Sequence, residues 1–181
     1  MTDPSRHIHN LALVGFMGTG KSSVGRLVAS LLNFEFVDTD ELIERSTGHR
    51  IADIFAQQGE THFRQLETET LKSLETRRNL VISTGGGSVV DPQNLASLRT
   101  HSYLICLWVS PEGIYKRVRH QTHRPLLLDP DPLAKITSLL KEREPAYRQA
   151  DLLINSELRS LRDLAHHVVY SFRSGIRDLS P

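Results

Sequence analysis

The run Gly15-Phe16-Met17-Gly18-Thr19-Gly20-Lys21-Ser22, set between an apolar stretch and a helical stripe, admits few folds. It is the G-x-x-x-x-G-K-[ST] pattern, in which backbone N–H groups turn inward around nucleotide phosphates. Glycines are needed where the backbone takes conformations closed to other residues and must approach the ligand closely. Leu11-Ala12-Leu13-Val14 before the loop reads as a short buried strand. After it, Val24, Leu27, Val28 and Leu31 fall at i, i+3, i+4 and i+7, one face of a helix. Strand, loop and helix in that order put the positive helix N-terminus under the phosphates. Gly18, Thr19, Gly20, Lys21, Ser22 and Ser23 are the candidate nucleotide contacts; Lys21 reaches the β- and γ-phosphates and the Ser22 hydroxyl can ligate Mg²⁺. The alternative, a glycine-rich turn with an incidental lysine, is made remote by both flanks, so the chain is expected to bind a nucleoside triphosphate.

A chain of 181 residues suits one domain, 1–181, with a sizeable core. Its net charge of +1 supplies no global field to recruit nucleic acid or an anionic membrane, and neither is expected as a partner. The single cysteine, Cys106, lies inside the apolar run Tyr103–Val109 and reads as a buried structural thiol. One cysteine makes no internal disulfide, so a reducing, cytoplasmic setting is the expectation. The first ten residues hold no apolar stretch, and no secretory signal is expected. The nine histidines are scattered; His7, His9, His166 and His167 lack a metal-site framework and read as surface residues.

Five apolar runs look like strands: Leu11–Val14, Phe34–Val37, Leu80–Ser83, Tyr103–Val109 and Leu152–Ile154. Helical patterns at Thr61–Leu74, after Ser110-Pro111-Glu112, at Leu133–Arg143 and at Leu161–Phe172 alternate with them. Such alternation predicts an α/β fold, a parallel sheet with helices on both faces. Two segments interrupt it. One is an extra helical stretch from Ser46 to Leu74 punctuated by Gly48 and Gly59; the other, His120–Pro132, is rich in charge and proline and reads as an exposed, mobile loop.

Chemistry-bearing residues follow the second and third strands. In Val37-Asp38-Thr39-Asp40, positions i and i+2 of extended chain project to one side, which would gather both carboxylates at the strand's carboxyl end, where open parallel sheets bind ligands. One acid can serve Mg²⁺ and the other a nucleophile; alternatively, Asp38 or Asp40 caps the helix beginning at Glu41. Thr84-Gly85-Gly86-Gly87-Ser88 lets backbone amides approach a small polar ligand with no side chain between. Arg64 lies one step off its helix's apolar stripe and serves equally well as an ion-pair partner of Glu60 or Glu67. Arg143, between Glu142 and Glu144, has a solvated helix end as its plain account. Arg117 and Arg124 belong to the basic stretch Lys116–Arg124, which has one aromatic neighbour, Tyr115; a lid closing over triphosphate suits it better than a nucleic-acid contact.

Taken together these residues resemble the shikimate kinase family. The glycine loop, Asp38-Thr39-Asp40, Gly-Glu-x-x-Phe-Arg-x-x-Glu from Gly59 to Glu67, Gly85-Gly86-Gly87, Arg124-Pro125-Leu126-Leu127 and Arg143-x-Pro145-x-Tyr147 recur there in this order and spacing. The resemblance runs from about Leu11 to Leu153. It implies a P-loop, nucleoside-monophosphate-kinase-like three-layer fold with a five-stranded parallel sheet. It implies transfer of the ATP γ-phosphate to the 3-hydroxyl of shikimate, on the route to chorismate and aromatic amino acids. Asp40, Arg64 and Arg143 match residues that hold shikimate, with the amides of Gly85, Gly86 and Gly87. Arg124 matches a lid arginine on the ATP phosphates, and Arg117 the position that stacks on adenine. Asp40, Lys21 and Arg124 are the catalytic candidates; Ser22 and Asp38 are the candidates for one Mg²⁺ per subunit. The substrate-binding segment would span about 46–74, the lid about 120–132, and the chain would act as a monomer. Asn155-Ser156-Glu157 carries no motif that maps onto the family.

Two other functions compete with this one. A gluconate kinase shares the glycine loop and an acid pair but gives no reason for the triple glycine or Phe-Arg-x-x-Glu. A nucleotide-binding regulatory module has no need of Lys21, Ser22, Asp38, Asp40 and Arg124 together.

Overall fold

The computed structural model describes residues 6–120 and 129–178. Alternation along the first strand, β1 (Asn10–Val14), sets the layers: Leu11 and Leu13 enter one apolar cluster, Ala12 and Val14 another, and all five residues are buried. A strand covered on both faces belongs at the centre of a parallel sheet. β1 pairs in parallel with β3 (Leu80–Ser83) on one side and β4 (Ser102–Trp108) on the other. β2 (Glu35–Asp38) flanks β3 and β5 (Leu152–Asn155) flanks β4, giving the order β2-β3-β1-β4-β5. Each expected strand is present, its ends displaced by one residue at most.

Seven helices cover the sheet among the described residues: α1 (Lys21–Leu32), α2 (Thr39–Thr47), α3 (Ile51–Leu74), α4 (Pro92–His101), α5 (Pro111–Val118), α6 (Pro132–Tyr147) and α7 (Leu161–Asp178). One face packs Val24 and Val28 of α1 with Leu164, Val168 and Phe172 of α7 against Leu11, Leu13 and Ile105. The other packs Leu71 and Leu74 of α3, Leu95 and Leu98 of α4, and Ile136, Leu140 and Tyr147 of α6 against Ala12, Ile82 and Cys106. The stripe expected on α1 is rotated, with Leu31 37 % exposed while Gly25 and Ala29 are buried. A Cβ on Gly25 would come 2.6 Å from the Phe36 ring, so the small residues let this helix lie close on the sheet. As expected, Ser110 caps α5, accepting from the Gly113 amide at 3.1 Å with Pro111 at the first turn. Cys106 is fully buried, and burial pushes its thiol up to about 12.

The interruption expected at 46–74 resolves into the end of α2, closed by Gly48, and a kinked α3. Gly59 sits at φ 81°, ψ 172° within α3, a backbone region open essentially to glycine alone. The kink precedes the half of α3 that carries Arg64 and Glu67, and Ile43, Ile54 and Phe63 pack together as a small separate core. His9 departs from the expected surface position: its ring lies 6.0 Å from that of buried His101, and its Nε2 is buried. Among the described residues no helix is long and apolar enough to cross a membrane.

Candidate active site

The phosphate loop joins β1 to α1 at the carboxyl edge of the sheet. Gly15, Gly18 and Gly20 take φ of 130°, 75° and 97°, so the loop requires its glycines. Lys21, 7 % exposed, folds over the loop and donates to the carbonyls of Gly15 at 2.7 Å and Phe16 at 2.9 Å. Thr19 is buried, its hydroxyl donating to Phe16 O at 2.8 Å, and Ser23 is exposed on the first turn of α1. Arg117, on α5, reaches across to the carbonyls of Gly18 and Thr19 at 3.4 Å each and donates to Ser156 O at 2.9 Å. Buried Ser156 itself donates to Thr19 O at 3.3 Å. The stretch after β5 without a recognisable motif is thus fastened to the phosphate loop.

The acid pair forms where β2 enters α2. Asp38 ends the strand and does two things at once. Its Oδ1 accepts from the Asp40 amide at 3.1 Å, capping α2, while its Oδ2 accepts from the Ser22 hydroxyl at 2.7 Å. Capping and facing the phosphate loop are therefore not alternatives. Asp40 lies on the first turn of α2 rather than in extended chain, so strand alternation is not what brings the acids together; a tight strand-to-helix turn does. Asp40 Oδ1 is buried and has no hydrogen-bond partner among the described residues. Burial first, then the charges of Asp38, Glu67 and Glu44, push the Asp40 carboxyl up to about 6, with Lys21 opposing. Ser22 and Asp38 are hard oxygen donors side by side, and no cluster of three His, Cys, Asp or Glu able to hold a metal exists among the described residues. That donor set fits Mg²⁺, which keeps waters and substrate phosphates in its shell rather than an all-protein cage.

Arginines and the second glycine loop meet beside Asp40. Arg64 pairs with both proposed partners: its Nη2 lies 2.9 Å from Glu60, and its Nη1 donates to Glu67. Glu67 is 1 % exposed and takes the place in the stripe Phe63-Glu67-Leu71 that an apolar residue would fill; its Oε1 accepts from Ser88 Oγ at 2.6 Å. A Cβ on Gly85 would meet Glu67 at 2.7 Å and Asp40 at 3.0 Å, one on Gly86 would meet Met17 N at 3.1 Å, and one on Gly87 the Arg64 guanidinium at 2.9 Å. A side chain on any of the three would therefore crowd a group of the site: Glu67 and Asp40, the phosphate loop, or Arg64. Arg143 is half-buried, not at a solvated helix end: it lies 5.5 Å over the Phe16 ring and 3.5 Å from Gly86 O, while Glu144 pairs with Arg148. Thr39, Glu67, Ser88 and Tyr147 also build this site. Thr39 and Tyr147 stand in recognised motifs with no role of their own there, Glu67 stands in one as a partner of Arg64, and Ser88 gives no signal beyond its neighbours in sequence. Arg124 lies outside the described residues, as does most of the expected lid.

Five parallel strands in this order, with a phosphate loop opening on an acid pair and with arginines and a second glycine loop beside it, define a P-loop kinase acting on a small molecule. The family model described as shikimate kinase matches residues 17–172. A shikimate kinase from Thermodesulfovibrio yellowstonii is 41 % identical over 163 residues, covering 90 % of this chain and 94 % of the relative. The structure of a shikimate kinase from Acinetobacter baumannii in complex with shikimate superposes with a TM-score of 0.88 at 39 % identity, over 93 % of this chain and 94 % of that one. A gluconokinase from Sinorhizobium meliloti, covering 96 % of this chain and 97 % of that one, reaches a TM-score of 0.62 at 14 % identity, a likeness of fold alone. This chain belongs to the shikimate kinase family.

Proposed function

We propose that this enzyme transfers the γ-phosphoryl group of ATP to the 3-hydroxyl of shikimate, releasing shikimate 3-phosphate and ADP on the route to chorismate and aromatic amino acids. The observation that carries the reading is the convergence of Asp40, Arg64, Arg143 and the Gly85–Gly87 loop directly in front of Lys21 and Ser22.

Phosphoryl transfer proceeds through a loose transition state, so the protein mainly positions groups and stabilises charge. Asp40 accepts the hydrogen bond of the attacking hydroxyl; a carboxyl poised near pH 6 is ionised at neutral pH yet close enough to take the proton. Arg64 and Arg143 hold the planar shikimate carboxylate, which matches the guanidinium fork. The amides of Gly86 and Gly87 approach it unobstructed, next to Gly85, which leaves room for Asp40. Gly18 to Ser23 cradle the phosphates, Lys21 swinging from its loop carbonyls onto the β- and γ-oxygens. Arg117 flanks adenine and Arg124 covers the phosphates. Ser22 and Asp38 would hold Mg²⁺, which when bound screens the charge of the β- and γ-phosphates. One domain acting as a monomer suffices for every step.

The test is ADP release by the purified enzyme with ATP and Mg²⁺, shikimate being compared with gluconate. Shikimate-dependent release is expected; release with gluconate alone would favour the rival kinase.

A further inference from the structure

Among the described residues Tyr147 is the largest fully buried side chain, yet it carries a hydroxyl that the reaction has not used. That hydroxyl donates to Gly86 O at 2.5 Å, across 61 residues of sequence. The same carbonyl is the one that Arg143 reaches from 3.5 Å, one turn earlier on α6. Around it the glycine loop is tied down on every side. Gly85 N donates to buried Thr39 Oγ1 at 3.0 Å, Ser88 N to Gly85 O at 3.3 Å and Val90 N to Gly87 O at 3.0 Å. Asn94 Nδ2 donates to Ser88 O at 3.0 Å. All three loop carbonyls are thereby occupied within the protein, while the amides of Gly86 and Gly87 have no acceptor among the described residues. A peptide plane held by its carbonyl has its next amide aimed the opposite way, so fixing Gly86 O fixes the direction of the Gly87 N–H.

We propose that Tyr147 is a positioning residue for the acceptor substrate. By holding Gly86 O it aims the Gly87 amide at the shikimate carboxylate and keeps the loop wedged between the phosphate loop and Arg64. The inference rests on the reading that shikimate is the acceptor. The wedge has dimensions: added methyl groups at Gly86 and Gly87 would stand 3.1 Å from Met17 N and 2.9 Å from Arg64, so a small loop displacement on either side alters the site. Burial pushes the phenol up to about 12, with Arg143 opposing, so the hydroxyl stays a donor throughout the working pH range. The ring itself packs among Leu140, Ile136 and the sheet, which separates the work of the ring from that of the hydroxyl.

Tyr147→Phe keeps the ring and leaves Gly86 O with the distant Arg143 contact. Leaving this half-buried carbonyl with one weak contact is expected to raise the KM for shikimate about tenfold, with the KM for ATP changed less than about twofold. Equal changes for both substrates, or a lowered Tm with the shikimate KM unmoved, would overturn the proposal and reduce Tyr147 to a packing residue. If the unaltered enzyme does not phosphorylate shikimate, the functional reading itself fails, an outcome distinct from either of these. Should the phenylalanine variant not accumulate as folded protein, the unaltered enzyme labelled with ¹³C-tyrosine decides the matter. The Tyr147 hydroxyl proton should exchange slowly and shift on addition of shikimate without nucleotide; no shift at saturating shikimate would overturn the proposal.

Discussion

Asp40 is a residue whose location costs stability so that it can act. Its carboxyl is raised from 3.8 to about 6 because burial and neighbouring acids disfavour the charge. The folded state therefore binds this proton more tightly than the unfolded chain, and the penalty is fully present above pH 6 and relieved as pH falls toward 3.8. Asp40→Asn should thus raise Tm at pH 7.5, by about 2–4 °C for each kcal/mol relieved in a chain of this size, while turnover drops about 10²-fold or more and ATP binding persists. The acid limb of kcat/KM near pH 6 should vanish with it. Near-wild-type turnover in this variant would remove Asp40 from the mechanism. Arg64 sits between two acids, so its substitution tests binding against structure. Arg64→Lys should weaken shikimate binding far more than ATP binding, because an ammonium cannot reproduce the fork. Equal loss for both ligands in titration would make the pair with Glu67 its whole purpose.

At the scale of elements, the kink in α3 decides where Arg64 points. Gly59 lies at φ 81°, ψ 172° with open space around it, so any side chain there meets strain and no clash. Gly59→Ala should cost about 1–3 kcal/mol, seen as a lower Tm. It should also raise the shikimate KM with little change for ATP, since the phosphate loop is on a different element. An unchanged shikimate KM would mean that α3 tolerates realignment. Strands and the phosphate loop were legible in sequence because parallel strands buried on both faces read as unbroken apolar runs, and because the loop's glycines and lysine are contiguous. The kink was visible only as a punctuation mark at Gly59. Helix α4 has no stripe legible in the sequence, because its buried face amounts to Asn94, Leu95, Leu98 and His101. Thr39 and Tyr147 were readable as motif positions but not by role, since their partners are glycines 46 and 61 residues away. Glu67 was readable as a partner of Arg64 but not as a buried charge, because burial belongs to the packed α3 and not to the three-residue spacing.

The whole molecule has a second titrating centre at the opposite, amino end of the sheet. His101 Nδ1 receives the Asn10 side-chain amide at 3.0 Å, and that amide's orientation is fixed because Asn10 Oδ1 accepts from Leu80 N at 2.9 Å. The imidazole is therefore held neutral, with burial and then nearby His9 lowering its proton affinity below the ordinary 6.5 and Glu75 opposing. The unfolded chain takes this proton more readily than the folded one below pH 6.5, so stability is undiminished by this group above 6.5 and is lost as pH falls below it. Tm measured between pH 8 and 5 should fall less steeply in His101→Asn than in the unaltered protein; parallel curves would exclude the group. At the other end of the sheet the phosphate loop lies against Asp40, the arginines and the second glycine loop, where phosphoryl transfer to shikimate would take place. Incubation of the purified enzyme with ATP, Mg²⁺ and shikimate, followed by mass and phosphorus NMR analysis of the product, tests it most directly. One phosphoryl group on the 3-oxygen of shikimate, matched by an equal amount of ADP, is the expected result; ATP binding without any phosphorylated shikimate, or phosphate on another oxygen, would contradict it.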